Sequence, residues 1–488
     1  MWPPEVNKGA KKVHHGYLAV MNLKQAMKVR SYRQTYIRHA TDESVVWCPR
    51  TGGCTVLQNA QPILEEVKWE WRSVDEIARA VAEKFGCDAD GVREGVEAVV
   101  GELVSQRFVE VEGKNDAIAE RSPMGETPVV PVNGEKDGLA ARPESAPYQD
   151  DDWSPLGDFY MRHGLPSELH IDLTDGCNER CVHCYLPRGG SHYIDKGIAF
   201  KVLKEFREAQ GLTVLVSGGE CMLNKDFAEI LRFAKSLDLN IIVLSNLTLC
   251  DDRMVALLKE IDPQFVNVSL YAVTESVHDS ITQIPGSCKK TKAAIDALQA
   301  AGVHVRIATP FMRENRGCVE ELKEYAAARH VHLFADSEIF GQIDHSCANQ
   351  SHALSIQDLE MLLSSHKDVF GKGRIESERC LCDAKVCDIG EGRLNLDAEG
   401  KYYPCDGFHG AIIGDARKDS LWDVWTGEAL NKLRALKNRD FGNCASCADR
   451  AWCKVCPMRN YNETGNMFTH APWRCEATRL YRRIFEEK

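Results

Sequence analysis

The 488-residue sequence predicts an α/β protein. Its centre is an open run of six βα units, preceded by a small winged-helix domain and followed by a cysteine-rich domain. Three observations carry that expectation. Apolar or alternating runs at 169–173, 212–216, 241–244, 265–270, 303–308 and 331–334 are separated by helix-like stretches such as 227–237, 253–261, 291–300 and 319–328. Such alternation makes parallel strands with helical crossovers, and six units fall short of the eight of a closed barrel. The twenty cysteines are gathered rather than spread, with three in 177–184 and nine in 380–475. Residues 44–111 combine short strands with a helix pair.

Composition narrows the function. An apolar content of 44% and a charged content of 27% are those of a soluble globular chain long enough for several domains. No run of about 18 apolar residues and no signal peptide is present, so the expectation is a cytoplasmic protein that does not engage a membrane. In that reducing compartment twenty cysteines point to metal or iron–sulfur ligation rather than to disulfides. A net charge of -12 argues against nucleic acid as a partner.

Residues 1–113 form the first expected domain. Strands at 44–47 and 55–57 flank the Gly52-Gly53 turn, and Cys48 and Cys54 fall in that hairpin. Ser73-Val-Asp-Glu76 is a capping box, and Val74, Ile77, Val81 and Phe85 form the apolar stripe of the helix it opens. Val92, Val96, Val99 and Leu103 mark a second helix, and 108–111 a closing strand. A DNA-reading helix needs Lys and Arg, but residues 88–106 carry Asp88, Asp90, Glu94, Glu97 and Glu102 against Arg93. The strand order, the Gln58-Asn59 turn and the Ser73–Ala78 helix start resemble the PqqD-like peptide-recognition element. That resemblance implies a leader peptide taken as an added strand at a sheet edge. Residues 114–152, with Pro123, Pro128, Pro131, Pro143 and Pro147 and an Asp150-Asp151-Asp152 end, read as a flexible linker. A tether of this kind keeps a bound peptide at high effective concentration near a distant site.

Residues 153–375 hold the βα units. After the first strand comes Cys177-x3-Cys181-x2-Cys184 followed by Tyr185, and after the second comes Ser217-Gly218-Gly219-Glu220. Three thiolates on one short loop can hold three irons of a [4Fe–4S] cube and leave the fourth open. The spacing, the aromatic after the last cysteine and the Gly-Gly-Glu after strand two resemble radical S-adenosylmethionine (SAM) enzymes. The resemblance implies a partial (β/α)6 barrel with its chemistry at the C-terminal strand ends. It implies that Gly218, Gly219 and Glu220 meet the SAM amino group. Ser245, Asn246 and Ser269, at the ends of strands three and four, would contact ribose and carboxylate. Tyr271, His278 and Asp279 lie in a stretch similar to peptide-modifying members and receive no role.

Residues 376–488 form the last expected domain. A hairpin with a glycine turn lies between Cys387 and Cys405, giving Cys387-x12-Gly400-x4-Cys405. Cys444-x2-Cys447-x5-Cys453-x2-Cys456 and a distant Cys475 follow. The set resembles the seven-cysteine SPASM domain, although Cys453 and Cys456 are separated by two residues where the family usually has three. The resemblance implies two auxiliary [4Fe–4S] clusters. One would be held by Cys387, Cys405 and Cys456 with Cys382 or Cys380, the other by Cys444, Cys447, Cys453 and Cys475. Paired C-x2-C motifs also build zinc sites. Asp406 directly follows Cys405, as does the acid/base carboxylate of sulfatase-maturing relatives, and is the candidate catalytic residue.

A peptide-recognition element, a radical SAM core and a SPASM domain together resemble maturases of ribosomally made peptides. The resemblance implies reductive cleavage of SAM to a 5′-deoxyadenosyl radical, hydrogen abstraction from a precursor peptide, and a Cys thioether crosslink. A flavodoxin or ferredoxin would serve as electron donor. Carbon–carbon or carbon–oxygen crosslinking, epimerisation and formylglycine-type oxidation are the alternatives within the class. A non-enzymatic iron–sulfur or zinc regulator on DNA is the alternative outside it.

Overall fold

The structure, a computed structural model, describes residues 27–31, 34–49, 52–68, 70–112, 155–370, 383–453 and 455–486. The expected linker at 114–152 and Cys380 and Cys382 lie outside the described residues. The chain divides into two compact units.

The first unit carries β1 (Lys28–Ser31), β2 (Tyr36–Ala40), β3 (Glu43–Cys48), β4 (Gly53–Gln58), β5 (Arg72–Ser73) and β6 (Val109–Val111), with helices α1 (Val74–Phe85), α2 (Ala89–Ser105) and α3 (Pro155–His163). α1 starts at the capping box: Ser73 Oγ accepts from the Glu76 amide at 3.1 Å, and Glu76 Oε2 accepts from the Ser73 amide at 2.6 Å. It stops at Gly86, which is left-handed at φ +62°, so Phe85 ends exposed instead of extending the stripe. Val74, Ile77 and Val81 bury with Val92, Val96, Val100 and Leu103 of α2 against Val29 and Phe108.

Two sheets divide the strands. β1 lies between β5 and β6, while β2, β3 and β4 form an antiparallel meander. The meander has its own small core, in which Tyr36 and Val45 pack with Phe159 and Tyr160 of α3 and with Leu212. Glu43 ties that packing with ion pairs to Arg162 and to His163, the latter at 2.8 Å.

The second unit is built on one nine-stranded sheet. β7 (Glu168–Asp172), β8 (Thr213–Ser217), β9 (Asn240–Ser245), β10 (Phe265–Ser269), β11 (Val305–Pro310) and β12 (His332–Asp336) run parallel and adjacent in chain order. Their crossovers are α4 (Lys196–Glu208), α5 (Phe227–Ser236), α6 (Asp252–Ile261), the pair α7 (Glu275–Thr282) and α8 (Ser287–Ala300), and α9 (Val319–Ala328). This is the expected six-strand open βα array.

The sequence did not foresee how the sheet continues. β13 (Arg393–Leu396) adds parallel to β7 on its far side, then β14 (Lys401–Tyr403) and β15 (Gly414–Asp415) follow antiparallel. The expected hairpin is therefore fused to the barrel sheet. Gly400, at φ +76°, makes its turn, and Asp397 Oδ1 accepts from the Lys401 amide at 2.8 Å.

Helices α10 (Pro457–Thr464) and α11 (Pro472–Glu486) close the unit. Arg459 of α10 is 1% exposed; it donates to Glu338 at 2.9 Å and Glu463 at 2.8 Å, and Arg474 also pairs with Glu338. A buried charge so fully partnered fixes α10 against the segment after β12. Among the described residues no helix is long and apolar enough to cross a membrane.

Candidate active site and cluster-binding cysteines

Along β7, Leu169, Ile171 and Leu173 bury in the main core beneath the helices. The chain then turns through Thr174 into the cysteine loop. Thr174 Oγ1 donates to the His192 carbonyl at 2.7 Å and accepts from the Gly176 amide at 3.0 Å, which shapes the loop's entry. Its middle is gripped by the end of α7: the Arg180 and Val182 amides donate to the Thr282 and Ile281 carbonyls, each at 2.9 Å.

The three thiols lie within one another's electrostatic reach. Burial pushes Cys177 up to about 12, with Glu220 and Glu179 adding to it, and drives Cys181 and Cys184 up as well. Burial also lifts the Glu179 carboxyl to about 7. Backbone N–H groups aim at two of the sulfurs, that of Glu179 at Cys177 (3.4 Å) and that of Leu186 at Cys184. Three thiols gathered on a short loop, with amides directed at two of the sulfurs, are a donor set that fits an iron–sulfur cluster.

Gly218 and Gly219 have a use that the sequence did not reveal. A Cβ at Gly218 would collide with the Thr174 carbonyl, and one at Gly219 with that of Gly176. The loop after β8 thus lies backbone-to-backbone on the cysteine loop, joined by Gly219 N–H to Thr174 O (2.8 Å) and Glu220 N–H to Gly176 O (2.9 Å).

Glu220 is 1% exposed, and burial raises its pKa against the hydrogen bonds it accepts. Its Oε1 accepts from Ser245 Oγ (2.9 Å) and the Met222 amide (3.1 Å), and its Oε2 from the Asn246 amide (2.9 Å). Asn246 Nδ2 reaches Asn178 Oδ1 at 2.9 Å and Cys177 Sγ at 3.9 Å. Glu220, Ser245 and Asn246 are thus one network joining the ends of β8 and β9 to the cysteine loop. Ser269 lies at the end of β10, and its hydroxyl hydrogen-bonds Tyr271.

The C-terminal thiols separate into two groups. Cys405 feels Cys456 and Cys387, while Cys475 feels Cys453, Cys444 and Cys447. Burial dominates in each, pushing Cys387 up to about 12 and Cys405 well above its usual range. The Ile389 amide bonds Cys387, and the Arg459 amide donates to Cys456 at 3.4 Å. The resemblance implied the same division, with Cys382 or Cys380 added to the smaller group; both of those lie outside the described residues.

Asp406 sits in a polar ladder on the sheet face opposite the apolar core. His170 of β7 is 5% exposed and lies between two carboxylates, Nδ1 at 2.8 Å from Asp406 and Nε2 at 3.2 Å from Asp172. Burial opposes the charged imidazole, but the two carboxylates outweigh it and raise His170 well above its usual range. Burial likewise works against the Asp406 anion; His170, with help from Arg393, holds the carboxyl at about 2. Asp406 is therefore an ion-paired carboxylate beside Cys405. A cavity lined by His170, Asp172, Tyr185, Tyr403, Asp406 and His409 opens there.

Sequence reasoning missed His170 and Asp172. The signal was present: two polar residues alternate with apolar ones in 169–173, in a strand buried on both faces. Of the three residues left without a role, Asp279 caps α8, accepting from the Gly286 amide (2.6 Å), Ser287 Oγ (2.9 Å) and the Cys288 amide (2.9 Å). His278 Nδ1 accepts from the Tyr271 amide at 3.2 Å, and Tyr271 contacts the cysteine loop.

Residues 171–326 match the Radical SAM superfamily, and residues 387–449 match the SPASM iron-sulfur cluster-binding domain. Residues 171–326 thus carry a radical SAM domain, which makes the protein an enzyme that uses a [4Fe–4S] cluster and SAM, and residues 387–449 carry a domain for auxiliary clusters. Among similar proteins is the AdoMet-dependent heme synthase of Methanosarcina barkeri, 24% identical over 350 residues, or 63% of this chain and 96% of the relative. The subtilosin biosynthesis protein AlbA of Bacillus subtilis is 26% identical over 335 residues, 63% of this chain and 73% of its own length. The crystal structure of Streptococcus suis SuiB bound to precursor peptide SuiA superposes with a TM-score of 0.58 at 14% identity, over 90% of this chain and 98% of that one.

Proposed function

We propose that this enzyme matures a ribosomally synthesised precursor peptide, holding the leader on its N-terminal domain and forming a Cys thioether crosslink. The observation that carries the reading is the likeness, over nine-tenths of the chain, to a protein solved with its precursor peptide. The resemblance to a bacteriocin biosynthesis protein supports it. So does β4 of the first unit, an edge strand whose six residues are all half-buried, because peptides add to such edges.

Cys177, Cys181 and Cys184 would hold the cluster that binds SAM. Gly218, Gly219 and Glu220 would receive the SAM amino group, and Ser245, Asn246 and Ser269 its ribose and carboxylate. The bound cluster and SAM supply hydrogen-atom abstraction from an unactivated carbon. Cys387, Cys405 and Cys456, with Cys382 or Cys380, would hold one auxiliary cluster, and Cys444, Cys447, Cys453 and Cys475 the other. A low-potential flavodoxin or ferredoxin would deliver electrons. Closing a thioether on the substrate carbon radical releases the proton of the peptide thiol and one electron, and an auxiliary cluster held by the C-terminal cysteines would take that electron. Asp406, which lines the cavity, would accept the proton on a carboxylate oxygen, and the 2.8 Å pairing with His170 supports that role by holding the carboxylate.

The heme synthase relatives favour a second reading, a tetrapyrrole substrate. One experiment separates the two: the reconstituted enzyme is incubated without oxygen with SAM, a reductant and a short peptide encoded beside the gene, or with a tetrapyrrole. A SAM-dependent loss of ~2 Da from the peptide that also blocks its cysteine from alkylation supports the thioether. The same loss with the cysteine still alkylatable means a carbon–carbon or carbon–oxygen link. Deuterium uptake from heavy water without other mass change means epimerisation. Turnover of the tetrapyrrole alone overturns the peptide reading.

A further inference from the structure

Four of the candidate ligand sulfurs receive a backbone hydrogen bond. Cys177 takes the amide of Glu179, Cys184 that of Leu186, Cys387 that of Ile389 and Cys456 that of Arg459. In each case the donor is backbone two or three residues ahead, a local feature of the loop itself. Cys181 differs. Among the described residues its sulfur has no amide donor; its neighbours are the Glu179 carboxylate at 3.4 Å and the Tyr271 hydroxyl at 3.6 Å.

Tyr271 is held from every side. It is 5% exposed; its ring stacks on His278 (centroids 5.2 Å apart, 28° between planes) and meets His183 edge-on at 4.9 Å. Its amide donates to His278 Nδ1 at 3.2 Å, its carbonyl accepts from Asn315 Nδ2 at 2.9 Å, and its hydroxyl also meets Ser269. The segment that carries it is the one that grips the loop through Thr282 and Ile281. The hydroxyl is therefore aimed, not loosely adjacent.

We propose that the Tyr271 hydroxyl donates a hydrogen bond to the ligating sulfur of Cys181 and thereby sets the reduction potential of the cluster on this loop. A thiolate bound to iron carries no proton, so in this pair only the tyrosine can donate. The Glu179 carboxyl, 3.4 Å from the same sulfur, adds a second hydrogen bond only when protonated, and removing the tyrosine hydroxyl leaves it in place, so the change read on that removal is the tyrosine's own. A donor to a cluster sulfur draws off negative charge, which favours the reduced, more negative state and moves the potential upward. The reduction is a one-electron step from a low-potential donor, with no bond made or broken and no proton transferred. The inference rests on Cys181 being a ligand and is independent of the substrate.

The test is a redox titration of the reconstituted full chain followed by electron paramagnetic resonance, reading the signal that responds to SAM. Tyr271→Phe keeps both ring contacts and removes the donor. The expected result is a more negative potential for that signal, with unchanged iron and sulfide content and unchanged potentials for the other clusters. 3-Fluorotyrosine placed at 271 is a stronger donor of nearly the same size and should shift the potential the other way. If Tyr271→Phe loads no cluster, the fluorotyrosine protein alone decides. An unmoved potential overturns the proposal. A wild-type chain whose loop holds no iron would instead overturn the ligand assignment.

Discussion

Cys177, Cys181 and Cys184 fall within eight consecutive residues, whereas Cys387, Cys405, Cys444, Cys447, Cys453, Cys456 and Cys475 are drawn from a stretch of 89. The first set is shaped by one loop at the tip of a parallel strand, with the Gly218-Gly219 backbone laid against it. The second is assembled from a hairpin fused to the sheet, irregular turns, and two helices fixed by buried pairs such as Arg459–Glu338. A local loop leaves room for an iron without a protein ligand. A site gathered from distant segments has more thiols within reach and suits closed, electron-carrying clusters.

The largest effect should come from breaking the local set. Cys181→Ala is expected to lower SAM-dependent 5′-deoxyadenosine formation by more than ~100-fold, read by chromatography, with loss of about four irons per chain. In the dispersed set, Cys444→Ala and Cys475→Ala should each remove about four irons, and the double variant no more than either. Cys387→Ala combined with Cys444→Ala should remove about eight, since the two belong to different groups.

Gly219→Ala sharpens the comparison from the backbone side. The added methyl meets the Gly176 carbonyl and should cost about 1–3 kcal/mol, seen as a lower denaturation midpoint together with poorer cluster loading. Ser73→Ala, in the other unit, loses one half of a capping box. It should cost about 1 kcal/mol in the thermal transition while leaving deoxyadenosine formation unchanged.

The smallest effect concerns pH. Burial alone would raise the Glu43 carboxyl, but His163 and Arg162 hold it below its ordinary 4.5. Its stabilisation is therefore complete above pH 4.5 and is lost as pH falls through the depressed folded value. Glu43→Gln should flatten that acid limb in a thermal melt series from pH 6 to pH 3; an unchanged limb would contradict the pairing.

The six parallel strands were legible because each is a short apolar run between helical stretches. The cysteine loop was legible because its spacing is local. The continuation of the sheet through β13 was hidden, since pairing of Arg393–Leu396 with β7 joins residues more than 200 apart and leaves no periodic trace. The Gly-Gly pair was noticed for ligand approach, yet its contacts are with the cysteine loop, a tertiary fact that spacing does not carry. His170 lies in an alternating strand, and nothing in the sequence sets it beside Asp406, more than 200 residues away. The two thiol groups could be guessed only from a family pattern, because which dispersed cysteines meet is decided by the fold.

If the local cysteines hold the cluster open to SAM and the dispersed ones hold two closed clusters, the three should be separable by their response to SAM. The direct measurement is electron paramagnetic resonance of the reduced, reconstituted chain with and without SAM, repeated on the C177A/C181A/C184A variant. SAM is expected to change one signal, the variant to lack this signal, and its remaining signals, from about eight irons, to ignore SAM. A SAM-responsive signal that persists in the triple variant would contradict it.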